Sequence, residues 1–244
     1  MRHVIAIALV LVGWSHALAQ SSEDPTPPPS TGVVDDATTT EQGATTTENT
    51  AEEDARLDER AGPTALALAR ALDARLTVWR NGARRVYVGH CRRARVACRA
   101  RVVALARVLA RVGVRHGVDP FLLAAMALRE SGLNPFAEGA AGERGIVQLH
   151  PRGVGSRVRF VRNESYRERC ARTADACQEE VVDAGARLIA ASMARCGGTR
   201  EARGAYNSGA CQATSYGDRV LEERANLVAL AKQGISAADA RLVD

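Results

Sequence analysis

Lysine is almost absent from this chain of 244 residues: of its 33 Lys and Arg residues, only Lys232 is a Lys. Against an Ala-rich background that skew fits genomic base composition, so basicity alone says little about function. Long apolar runs are also missing. The one N-terminal run, Val4 to Trp14, is too short to span a bilayer as a stable helix, and no later segment is apolar enough to cross a membrane. No CxxC pair occurs and the five His are scattered, which excludes the usual Cys/His zinc site. No tandem repeat and no convincing strand can be read, so the body of the chain is expected to be mainly α.

The chain begins with the layout of a secretory signal peptide over 1–19: Arg2 and His3, the short apolar run, then Ala17-Leu18-Ala19 as a small-residue cleavage site. Cleavage after Ala19 leaves Gln20 first, with no Cys there to take a lipid. Residues 20–60 are rich in Ser, Thr, Pro, Glu and Asp and read as a disordered acidic linker. They hold eleven acids and two bases, a net charge of −9, whereas residues 61–244 carry +13. A basic body suits an anionic polymer such as nucleic acid or cell wall. Export fits the six Cys. Nearest-neighbour pairing, the simplest of 15 connectivities, gives Cys91–Cys98, Cys170–Cys177 and Cys196–Cys211. The first of these is the weakest, because seven residues of continuous helix rise about 10 Å, too far for a bridge.

A helix is predicted over 63–79, beginning at Pro63 and broken by Asn81-Gly82, within an extension of 61–99. Residues 84–115 are the most arginine-rich part, with Val102, Leu105, Val108, Leu109 and Val112 on an apolar face. Export favours a solvated Arg face over nucleic-acid binding. Residues 152–177 look irregular and are closed by Cys170 and Cys177. Further helices are predicted over 178–195, over a short stretch capped by Thr199, and from Tyr216 to Lys232.

The most informative stretch is Gly117 to Leu149. Asp119 is a good N-cap and Pro120 suits the first helical position; Gly132 and Asn134-Pro135 stop the helix. Leu123, Met126, Ala127 and Glu130 follow at helical spacing, which puts Glu130 on the core or cleft face. A carboxylate there sits beside uncompensated carbonyls and is partly desolvated; both effects raise its pKa, as a general acid requires. Gly142 and Gly145 allow tight turns near a ligand, and Gln148 offers a donor and an acceptor to a sugar.

ALRESGLNP (127–135), GERGIVQLHP (142–151), AYNSG (205–209) and SYGDRV (215–220) stand in the order of the motifs of soluble lytic transglycosylases. Over about residues 100–231 the chain resembles the lysozyme-like catalytic domain of that family, which cleaves peptidoglycan. The resemblance implies a mainly α, lysozyme-like domain over 100–244. It implies Glu130 as the single acid/base, with Ser131, Val147, Gln148, Tyr206, Asn207 and Tyr216 lining the saccharide site. It implies no metal or cofactor, a peptidoglycan glycan strand as partner rather than nucleic acid, and a location in the periplasm, the cell envelope or the medium. Val147 and His150 depart from the family pattern, where Met is common, which bears on the saccharide contact surface. A hydrolytic muramidase using Glu138 or Glu143 as a second carboxylate, and a wall-binding module without activity, are the alternative readings.

Overall fold

The computed structural model describes residues 44–80, 84–88, 97–171 and 176–233. The expected signal peptide, and the part of the linker before residue 44, lie outside the described residues. Helix α1 spans Ala44–Leu76, followed by strands β1 (Thr77–Arg80) and β2 (Arg84–Tyr87). Then come α2 (Cys98–His116), α3 (Pro120–Ser131), α4 (Arg159–Arg162), α5 (Glu164–Cys170), α6 (Glu179–Cys196), α7 (Thr199–Ser208) and α8 (Ser215–Lys232).

Three expectations for the N-terminal half need correction. The acidic linker is helical from Ala44, and α1 runs through Pro63 rather than starting there. Leu57, Ala61, Ala65, Leu68, Leu72 and Leu76 are buried at steps of three and four, one stripe that packs on α2 and carries the helix back into the acidic segment. Pro63 removes only the bond that its N–H would have made to the Glu59 carbonyl. The hairpin β1–β2 was not anticipated: Thr77 pairs with Tyr87 and Arg80 with Arg84. Its signal was present, since LTVW and RRVY are β-rich runs separated by a short Asn-Gly turn. The tip of that turn, 81–83, lies outside the described residues. The hairpin is tied down where the Tyr87 hydroxyl donates to Asp73 of α1. Finally, the boundary expected at 99/100 falls inside α2, and Leu68, Leu72 and Leu76 of α1 share one core with α2, α3 and α6.

The Arg-rich stretch also divides differently. Arg84 and Arg85 lie on β2, Arg92, Arg93 and Arg95 lie outside the described residues, and the helix begins at Cys98. Its arginines are not simply solvated. Arg101 is fully buried, and Arg111 and Arg115 meet Glu179 and Asp183 of α6 in a seam of ion pairs. The Ala97 backbone is extended (φ −52°, ψ 139°), so α2 starts at Cys98 and does not continue back through Ala97. Cys98 is disulfide-bonded, while Cys91 lies outside the described residues. The bridges Cys170–Cys177 and Cys196–Cys211 are formed as expected.

α3 is the central element. Leu122 to Ala127 are all buried, so the helix is enclosed on every side. Gly113 of α2 makes the preceding turn possible, because a Cβ there would lie 2.7 Å from the Val118 carbonyl oxygen. Asp119 caps α3 by accepting from the Phe121 N–H at 3.0 Å, and its other carboxylate oxygen pairs with Arg224 of α8. Gly132, at φ 61°, closes α3 with bonds to the last-turn carbonyls. The segment 152–177, read as irregular, is mostly short helical turns; Phe160 at its centre is fully buried, with its ring 6.0 Å from that of Phe136. Thr199 is the first residue of α7 rather than its cap, which is Gly198.

Candidate active site

The end of α3 delivers Glu130 half-buried beside the loop 133–151 and the first turn of α8. Thr214 caps α8 by accepting from the Gly217 N–H at 3.1 Å, which sets Tyr216 in that first turn. The Tyr216 hydroxyl donates to Glu130 Oε1. Burial raises the Glu130 pKa above the ordinary carboxyl value; the Tyr216 hydrogen bond opposes this, the charge of Glu143 adds to it, and Arg129 opposes it, for a net rise. Burial, and then the neighbouring Glu130 charge, push Tyr216 far up, so its hydroxyl keeps its proton and remains a donor. The carboxyl is thus held by one oxygen, which leaves the other oxygen for a proton.

Three further expected site residues hold the loop in place. The Ser131 hydroxyl lies 3.0 Å from the Ala127 carbonyl and 2.9 Å from that of Ile146, pinning the loop to the end of α3. Tyr206 of α7 donates to the Val147 carbonyl at 2.8 Å. The Gln148 amide nitrogen donates to the carbonyls of Gly145 (2.8 Å) and Ala137 (3.1 Å), with the Gln148 backbone at positive φ (49°). Asn207 is exposed, one residue beyond Tyr206. Val147 needs correction as a saccharide contact. Its side chain is 1% exposed and lies against Gly185 of α6, so only its backbone serves the site. The residue before the glutamine, where the family commonly has Met, is a core position in this fold. His150 is half-buried and accepts from the Arg152 N–H at 3.1 Å.

The two rival carboxylates differ. Glu138 is exposed and paired with Arg144. Glu143 is half-buried, accepts from the Ala141 N–H at 3.0 Å, and its charge is felt at Glu130. Sequence reasoning did not foresee the work of Gly185, where a Cβ would come within 2.9 Å of Val147 and 3.5 Å of the Tyr206 hydroxyl. A glycine inside a helical pattern was the available signal. It also did not foresee Asp119 reaching Arg224, a contact across 105 residues that local patterns do not encode.

A mainly helical domain whose buried central helix ends in a half-buried, tyrosine-held carboxylate beside a pinned loop has the make-up of a lysozyme-like glycan-cleaving enzyme. Residues 108–227 match the family described as Transglycosylase SLT domain. Members of this family act on peptidoglycan. No curated protein and no solved structure matches the chain. Among the described residues, no helix is long and apolar enough to cross a membrane.

Proposed function

We propose that the chain is a lytic transglycosylase in which Glu130 serves as both acid and base on the bond between N-acetylmuramic acid and N-acetylglucosamine. The observation that carries this reading is the Glu130–Tyr216 pair: a carboxyl with a raised pKa, held at one oxygen by a tyrosine that keeps its proton. The protonated Glu130 gives its proton to the glycosidic oxygen as the bond to the muramic acid C1 breaks. The substrate's own N-acetyl oxygen closes on C1 and stabilises the cation. Glu130, now a carboxylate, takes the proton of the muramic acid 6-hydroxyl, O6 bonds to C1, and the N-acetyl oxygen leaves. The product is a 1,6-anhydromuramic acid end; Glu130 is protonated again and no water is consumed. Asn207, exposed beside Tyr206, together with Gln148 and the Tyr206 ring, would face the saccharide. An exported chain meets this substrate in the envelope.

Hydrolysis is the second reading, favoured by one observation. Glu143 is a further carboxylate whose charge reaches Glu130, and a second carboxylate near the acid is what a water-activating base would be. The two readings differ by one water in the product. Mass spectrometry of muropeptides released from purified peptidoglycan is expected to find anhydro ends with the wild type and no products with Glu130→Gln. Reducing ends would transfer the assignment to hydrolysis, with Glu143 as its base. Cleavage by Glu130→Gln would end both readings.

A further inference from the structure

We propose that Arg203 is a positioning residue for the acid: it acts by locking the first turn of α8, and so Tyr216, onto α7. The proposal rests on Glu130 being the acid. Arg203 lies in the middle of α7 and is fully buried. Its Nε lies 3.3 Å from the carbonyl oxygen of Gly217, the residue that follows Tyr216. Among the described residues, its two terminal nitrogens are buried without a hydrogen-bond partner. A buried guanidinium served by one hydrogen bond is an expensive way to fill space, and an apolar side chain of similar length would pack there at less cost. What an apolar side chain would not supply is the tie to the Gly217 carbonyl.

The surroundings of Arg203 show where that tie acts. Three residues further along α7, Tyr206 holds the Val147 carbonyl. On the next helix, Tyr216 holds Glu130. Arg203 is thus tied to the neighbourhood of both tyrosines, three residues before Tyr206 on α7 and bonded to the residue after Tyr216. The α7–α8 junction has no slack elsewhere. A Cβ on Gly204 would lie 1.7 Å from the Gln212 carbonyl oxygen, and one on Gly217 would lie 3.2 Å from that of Arg200. Arg200 adds an exposed two-pronged pair to Asp218 at 2.7 and 2.9 Å. The charges around Arg203 are Glu201 and Arg200 on its own helix and Asp218 and Arg224 on α8. Arg203 is not among the charges that shift Glu130, so its influence passes through the placement of α8.

The test follows the Glu130 carboxyl itself, by NMR titration of glutamate-labelled full-length chain, in wild type, Arg203→Met, Tyr216→Phe and the double variant. The Tyr216 hydrogen bond lowers the Glu130 pKa, so its loss raises the midpoint. Arg203→Met is expected to move the midpoint up, in the same direction as Tyr216→Phe, and to add nothing in the Tyr216→Phe background. With peptidoglycan as substrate, kcat should fall about tenfold or more while KM stays within about twofold, as misplacement of a catalytic group predicts. An unchanged midpoint in Arg203→Met, or a shift that adds to that of Tyr216→Phe, would overturn the proposal, whatever the loss of stability. Should Arg203→Met not fold, Arg203→Leu is the second variant: it carries no donor at the place of Nε, and is held to the same midpoint criterion. The titration does not depend on which product is formed. A wild type without anhydro ends would count against the proposed reaction alone, and an unmoved midpoint against Arg203 alone.

Discussion

Glu130 is where the chemistry of single residues decides the most. Because burial lifts its folded pKa, the folded chain holds that proton more tightly than the unfolded chain does. The resulting stability is present below the unfolded carboxyl value and is lost as the pH rises through the lifted one. Above the ordinary carboxyl value, where the unfolded chain gives up this proton readily, the half-buried Glu130 therefore burdens the fold. Glu130→Gln should melt higher than wild type at pH 7, and the gap should close as the pH falls below the ordinary value of 4.5. Thermal scans across pH check this, and a variant that melts lower at pH 7 would contradict it. Glu143 offers the complementary measurement. Its charge is one of the causes that raise Glu130, so Glu143→Gln should lower the Glu130 pKa and move the alkaline limb of the rate profile to lower pH. If Glu143 instead activates water, the same variant abolishes cleavage, so one pH–rate series also decides between the two products.

At the scale of elements, α3 is the part the sequence announced most fully. Its cap, its proline, its apolar spacing and its glycine stop are all local signals, and all four stand where the helix begins, buries itself and ends. Glu130 and Ser131 stand together at its end for the same reason, whereas Gln148 joins them only through the family resemblance. The tasks of Tyr206 and Tyr216 could not be read, because each hydroxyl finds a partner dozens of residues away. The hairpin is hard to read because Asn81-Gly82 equally suits a helix stop, and the start of α1 because an acidic composition masks a buried stripe of Leu57, Ala61 and Ala65. Asp119 carries an element-scale prediction. Asp119→Ala removes the α3 cap and the partner of Arg224, and should cost about 1–2 kcal/mol, with the half-exposed ion pair adding little. Chemical denaturation would show this as a lower midpoint with an unchanged slope.

For the whole molecule, the segment ahead of the matched family region matters. α1 supplies Leu68, Leu72 and Leu76 to the same core that surrounds α3, and Arg75 pairs with the buried Glu223 of α8 at 2.6 Å. A chain beginning at residue 97 should therefore lose its cooperative thermal transition, even though it retains residues 108–227 entire. A sharp melt from that fragment, seen by circular dichroism, would mean that α1 only decorates the fold.

The link from Asp119 to Arg224 also has a mechanical side. α3 and α8 are joined twice, by Asp119 with Arg224 at one end and by Glu130 with Tyr216 at the other. The rungs are about 16 Å apart along α3 and about 12 Å apart along α8. Two rods tied at two points this far apart resist sliding and rolling past each other, so the α3–α8 pair behaves as a rigid frame for the carboxyl. Glu130 keeps its bearing on that frame whatever happens at the rim.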